Sequence, residues 1–406
     1  MAKKRIVITG VGVVAPNGIG KEEFWNNLKN GRSGFRPITI FDTSNFLVKI
    51  AGEVSEFDPI KILGKKGLVD LDRATTLLLS AVKFALEDSK LDQTDINPLT
   101  IGISVGTTFG SLNSLSDFDR QSIQEGPNLV NPSRFPNTVI NSPASRVAIR
   151  YGIKGPNCTI STGFSAAIDA IEYGINLIQT NKAQRVIVGS VEELSVQIFS
   201  GFYTLKYLSG SNGNSPMSCP FDKQHNGIIL SEGAAVLILE EEKAATNRKT
   251  PILGEILGVG SYFDPYRIHK YHPTSRGMVN AMRQAIDTNT IDCIFANANS
   301  TINADIFETK AIKQLFGKKA KKIPITAIKS MVGETFSASG GFSTIAALLS
   351  LQNGIIPPTI NLRKQDPLCD LDYVPNIARN LKSKNILVNS FGPNGTNSSL
   401  VISRYN

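Results

Sequence analysis

At 406 residues, with 41% hydrophobic content, 34 Gly and 20 Pro, the chain has the make-up of an α/β protein with room for large cores. It contains no run of about 18 apolar residues, and its first residues enter a strand at once (Arg5-Ile6-Val7-Ile8), so neither a membrane span nor a signal peptide is expected. The net charge is +9, yet no aromatics interleave with the basic runs and no nucleic-acid motif appears, so nucleic acid is not an expected partner. A basic face suits an acidic protein equally well. Cys158, Cys219, Cys293 and Cys369 are scattered, with neither a disulfide framework nor a metal-binding pair, which fits a reducing, cytoplasmic setting.

Strand and helix patterns alternate along the chain. Arg5–Val11 reads as a strand, Lys21–Leu28 and Asp72–Asp88 as helices, and Thr100–Val105 as the next strand. A β-like run from Cys158 to Ser161 turns through small residues into a predicted helix, Phe164–Gln179, followed by strands at Arg185–Ser190 and Ala234–Glu240. A charged stretch (Glu241, Glu242, Lys243, Arg248, Lys249) then marks a boundary, giving halves at 1–245 and 246–406. The second half is expected to run through strand Gly254–Ser261, helix Arg276–Thr288, strand Ile291–Ala296 and helix Ile306–Phe316. Strand Ile325–Ala327, helix Ser339–Leu351 and strands Asn385–Ser390 and Ser399–Ser403 complete it. No repeat is visible at the level of letters.

Phe164 stands out for its setting. The helix it opens carries Ala167, Ile168, Ala170, Ile171, Ile175 and Ile178 on one side and Ser165, Asp169, Glu172 and Asn176 on the other. A side chain at such a strand-to-helix turn sits at the positive end of a helix, where a cysteine nucleophile is favoured. A phenyl ring there attacks nothing. Ser165 follows it, but no activating base is in evidence. The segment Gly10-Val11-Gly12-Val13-Val14-Ala15 has the letters of a relaxed dinucleotide fingerprint without its context, because Pro16-Asn17-Gly18 follows where a helix should begin. It is read as a tight turn after a core strand. His225, His269 and His272 are placed in loops at the surface, with no spacing that assembles a metal site. Cys158 is read as a buried, inert thiol.

Motifs in order along nearly the whole chain resemble the β-ketoacyl-ACP synthase family of the thiolase-like fold. They are Arg5 to Gly12, Asp72-Arg73, Gly155-Pro156, Cys219-Pro220-Phe221-Asp222 with Gly227 and Glu232-Gly233-Ala234, Asn297-Ala298, Lys329 to Gly333, and Asn389-Ser390-Phe391-Gly392 with Gly395-Thr396-Asn397. The resemblance implies two related βαβαβαββ halves packed as α-β-α-β-α layers. In that family a cysteine carries the acyl chain and two histidines help decarboxylate the malonyl extender. Matched motif by motif, Phe164 stands at the cysteine, Asn299 at the first histidine and Glu334 at the second, while Pro393 replaces a gating phenylalanine. Glu308 and Lys329 match the family's supporting carboxylate and lysine.

Condensation needs a nucleophilic side chain to take up the acyl chain as a thioester, and decarboxylation needs donors on a developing enolate oxygen, which a carboxylate would repel. The chain therefore looks like a chain-length factor, the non-catalytic subunit of a type II polyketide synthase. Such a subunit pairs with an active ketosynthase as a heterodimer and shapes the tunnel for a chain carried on the phosphopantetheine of an acyl carrier protein. No catalytic residue, metal or cofactor of its own is then expected. By the same match Phe109, Leu112, Leu115 and Ser116 are gate candidates, and Ser133 and Arg134 lie on a loop directed at the partner. For the apolar gate residues plain core packing is an equal reading, since periodicity does not separate the two. The alternatives are a malonyl-ACP decarboxylase or other ketosynthase-like accessory enzyme, and a scaffold that binds the carrier without shaping a product.

Overall fold

The computed structural model describes residues 4–91, 97–380 and 384–405. The principal strands are β1 (Ile6–Ala15), β2 (Ile101–Gly106), β3 (Asn157–Ile160), β4 (Arg185–Glu192), β5 (Gly233–Glu241), β6 (Gly254–Phe263), β7 (Cys293–Phe295), β8 (Ile325–Thr326), β9 (Asn385–Phe391) and β10 (Thr396–Ser403). They lie in the order β8-β7-β9-β10-β6-β1-β5-β4-β2-β3.

The arrangement is a duplication that the letters hide. Outward from β1, the pairings are antiparallel to β5, antiparallel to β4, then parallel to β2 and to β3. Outward from β6, the series β10, β9, β7, β8 repeats the same directions. The arrays meet where Ile6, Val7 and Ile8 pair with Ile256, Glu255 and Gly254.

Of the helices, α1 (Lys21–Lys29) follows the first strand and α2 (Arg73–Asp88) covers the outer face of β1, β5 and β4. Next come α3 (Leu112–Glu125), α4 (Ser142–Tyr151), α5 (Ala166–Gln179) and α6 (Val196–Thr204). In the second half α7 (Arg276–Ile286) lies on β6, β10 and β9, α8 (Ile302–Phe316) lies against α7, and α9 (Ser337–Asn353) is the last. Helices α5 and α9 touch each other and strands of both arrays, so they form the middle layer of a thiolase-like α-β-α-β-α fold. Every residue of α9 from Ser337 to Leu351 is buried, as a helix enclosed by sheets on both sides must be. Its Phe342, Ile345 and Leu348 join Ile168 and Ile171 of α5 in the central core. Among the described residues no helix is long and apolar enough to cross a membrane.

Three local expectations are corrected. Gly10 and Gly12 lie inside β1, not in a turn after it. A Cβ on Gly12 would come within 1.9 Å of the Ala81 carbonyl oxygen, and one on Gly10 within 2.5 Å of that of Ala85. The glycines are there because α2 packs directly on the strand. His225 lies in a loop but is 3% exposed, not at the surface. Its Nδ1 is 2.9 Å from Asp305 Oδ2. Burial pulls its pKa down, and the hydrogen bond and charge of Asp305, with Asp366 and Asp222, more than offset this and raise it. Cys158 is half-buried, because β3 is the sheet's edge and pairs on one side only.

Candidate functional site

The turn ahead of α5 is a 3-10 turn, Gly163–Ser165, so Phe164 stands just before the α-helix. Gly163 supplies the positive φ (75°) that the turn requires. The Phe164 carbonyl accepts from Ser390 Oγ at 2.7 Å, and Ser165 Oγ donates to the Ser390 carbonyl at 3.1 Å. That bond ties the Ser165 hydroxyl to backbone, with no base beside it.

The phenyl ring is 8% exposed. On one side it abuts the loop after β9, where a Cβ on Gly392 would lie 3.1 Å from its Cδ2. Pro393 in that loop carries no N–H and so offers no donor toward the ring's position. On the other side Phe164 enters a fourth apolar cluster with Leu194, Ile198, Phe199, Leu230 and Phe336, against which Phe109, Leu112 and Phe202 also pack. Phe336 meets Phe164 at a centroid distance of 5.2 Å and an interplanar angle of 71°, and Phe109 at 5.1 Å and 85°. Both are edge-on geometries that aromatic quadrupoles favour. Burial of the Phe164 ring is worth about 1.5–3 kcal/mol.

Asn299 and Glu334 come together, as their motifs suggest, and they engage each other. Asn299 Nδ2 donates to Glu334 Oε2 at 2.9 Å, and Lys329 Nζ donates to the same oxygen at 2.9 Å. Glu334 Oε1 accepts from the Phe336 amide at 3.0 Å and from Ser339 Oγ at 2.9 Å. Lys329 Nζ also reaches Asn297 Oδ1 at 2.9 Å. A buried carboxylate survives only when paired and hydrogen-bonded, and Glu334 is both. The Asn299 amide oxygen is taken up by Thr301 Oγ at 2.8 Å.

Glu308, on α8, accepts from the Asn297 and Ala298 amides at 3.0 and 2.8 Å and from Asn389 Nδ2 at 2.9 Å. It fastens the loop after β7 to β9. Burial pushes its carboxyl up to about 7, against the pull of those bonds and of Lys329. Burial raises the Cys219 thiol to about 11 and the Cys369 thiol to about 12, so both are protonated at neutral pH.

Of the gate candidates, Phe109 and Leu112 reach the Phe164 cluster, whereas Leu115 and Ser116 are not in it; Leu115 is 37% exposed. Glu192, at the end of β4, sets the Phe109 loop. It accepts from the Thr108 amide, from the Phe109 amide at 3.3 Å and from Ser337 Oγ at 2.5 Å. Ser133 and Arg134 lie in an exposed 3-10 segment, Pro132–Thr138. Sequence reasoning missed Phe336, Phe202 and Glu192. The one signal for Phe336 was its place two residues after Glu334.

Comparison with known proteins agrees with this frame. Residues 3–245 match the N-terminal domain of β-ketoacyl synthase and residues 253–363 its C-terminal domain. The 3-oxoacyl-[acyl-carrier-protein] synthase 2 of Coxiella burnetii is 36% identical, the alignment covering 100% of this chain and 99% of that protein. The tetracenomycin polyketide synthase ketoacyl synthase alpha subunit of Streptomyces glaucescens is 35% identical over 99% of this chain and 98% of its own. Among solved structures, the ishigamide ketosynthase/chain length factor superposes with a TM-score of 0.93 at 31% identity, covering 100% of both chains. A type II polyketide synthase acyl-carrier protein in complex with its ketosynthase gives a TM-score of 0.91 at 29% identity, again covering 100% of both chains. With both domain models matched in order and alignments spanning the chain from end to end, it belongs to the β-ketoacyl synthase family.

Proposed function

We propose that this chain is a non-catalytic chain-length factor, the partner of an active ketosynthase in a type II polyketide synthase. The observation that carries the reading is the state of the three catalytic positions. Phe164 is packed into an aromatic cluster, and Asn299 and Glu334 are spent on each other and on Lys329. Neither an acyl-thioester nor a pair of enolate donors can be built from these groups. The solved ketosynthase/chain length factor, alike over its whole length, supports the assignment. The relatives named as synthases align with this chain from end to end, and on this reading what sets it apart from a working synthase is the state of these three positions.

On this reading the carrier-bound chain grows at the partner's cysteine and runs toward the ring wall of Phe109, Leu112, Phe164 and Phe336. A bulky residue in a close-packed tunnel is a stop, because there is no void for the next unit to enter. The partner meets the face that the isolated chain leaves open. Helix α3 has no fully buried residue, Phe135 and Leu129 beside it are 57% and 64% exposed, and β3 is the sheet's edge strand among the described residues. An apolar helical face and a free strand edge are features that association covers. Ser133 and Arg134 lie on this face.

The test uses the purified protein with malonyl-loaded acyl carrier protein, alone and then with the active ketosynthase. Alone it leaves malonyl-ACP intact, and co-expressed with the ketosynthase it co-purifies as a heterodimer. Rapid formation of acetyl-ACP by the chain alone would instead make it a decarboxylase.

A further inference from the structure

Phe336 touches rings from three separate segments: Phe109 in the loop after β2, Phe164 ahead of α5, and Phe202 of α6, the last at 5.1 Å. Its backbone is at φ 45°, ψ −110°, a region that a bulky residue enters only when its surroundings impose it. The imposing group is Glu334. Its Oε1 holds the Phe336 amide at 3.0 Å and Ser339 Oγ at 2.9 Å, while Oε2 is locked by Asn299 Nδ2 and Lys329 Nζ, each at 2.9 Å. With four donors on two oxygens the carboxylate cannot swing, and the amide it holds cannot rotate away. Ser337, the next residue, donates to Glu192, whose other contacts hold the Phe109 amide. The two rings that face each other edge-on are thus mounted on two buried carboxyl groups joined through the first turn of α9.

We infer that Phe336 is a chain-length-determining ring and that Glu334 is its positioning residue. The carboxylate standing at the second-histidine position holds Phe336 against Phe109 and Phe164 as the end wall for the acyl chain. The inference rests on the chain-length reading above and adds to it a ring and the device that orients it. Glu334 itself touches no chain; it acts through the ring. Lys329 and Asn299 keep Glu334 in place.

The experiment compares products, by chain length, from the complex of this subunit with its active ketosynthase and acyl carrier protein. Phe336→Ala lengthens the main product by at least one two-carbon unit, and Phe336→Leu, which keeps most of the apolar volume, gives a smaller shift. Glu334→Ala shifts length in the same direction, and combining it with Phe336→Ala adds nothing, because its effect passes through the ring. In a crystal structure of the Glu334→Ala subunit, residue 336 leaves the positive-φ region. Unchanged length in Phe336→Ala while Phe109→Ala lengthens the product would overturn the inference and leave the chain-length reading standing. Unchanged length in both, with the complex formed, would overturn both. A further shift in the double variant would show that Glu334 does not act through Phe336.

Discussion

Glu334 changes meaning between the sequence and the fold. Alone at a catalytic position it is a charge that would oppose an enolate; among its neighbours it accepts four hydrogen bonds, the one from Lys329 being also an ion pair. Removing one partner from a buried pair costs more than removing both. Lys329→Met should therefore destabilise the protein by about 3–5 kcal/mol, and adding Glu334→Gln should recover much of that loss, as read by urea unfolding. Equal stability of the single and double variants would mean that the pair is not the constraint described. Glu192 gives a pH test. Burial pushes its carboxyl from the ordinary 4.5 up to about 7, against hydrogen bonds from Ser337, Thr108 and Phe109 that lower it. The folded chain then keeps a proton that the unfolded chain has released, so stability falls as pH rises from about 4.5 to about 7. Glu308, at about 7, and Glu193, at about 8, carry the same sign. Glu192→Gln should make the decline of the melting temperature across that window shallower, without abolishing it. An unaltered slope would place the titration elsewhere.

Among the elements, the strands with two hydrogen-bonded neighbours were the most legible. Sequence placed β4 and β5 starting at Arg185 and Ala234, and the structure has Arg185–Glu192 and Gly233–Glu241. Their unbroken apolar runs have no other use than a sheet covered on both faces. Helices α3 and α6 were not legible. No residue of α3 is fully buried, and only Leu112 at its start packs on the site cluster, so its pattern has little core side to announce it. The α6 sequence, VQIFSGFYT, is aromatic and β-branched, and it is helical because Phe199 and Ile198 pack into the site cluster and Ser195 Oγ caps its start. Phe135→Asp should weaken association with the ketosynthase at least tenfold, about 1.4 kcal/mol, while the melting temperature of the separate chain stays put, because the ring is 57% exposed there. Association measured by titration calorimetry with no loss of affinity would move the interface off this face.

For the whole molecule, the duplicated arrays bring two distant turns, at Phe164 and after β9, to one place. Motif order alone identified Phe164, Asn299 and Glu334, because each motif carries its own position. Contacts across the duplication did not show in the sequence: nothing near Phe336 in the chain announces Phe109, and nothing near Glu192 announces Ser337. A site assembled by packing is read from packing. On the proposed function this subunit is a wall for its partner's product, without chemistry of its own. The most direct test is mass analysis of the products of the reconstituted heterodimer with Phe109→Ala in this subunit and an unaltered ketosynthase. The account predicts longer chains at undiminished malonyl consumption; products of unchanged length from an active complex would contradict it.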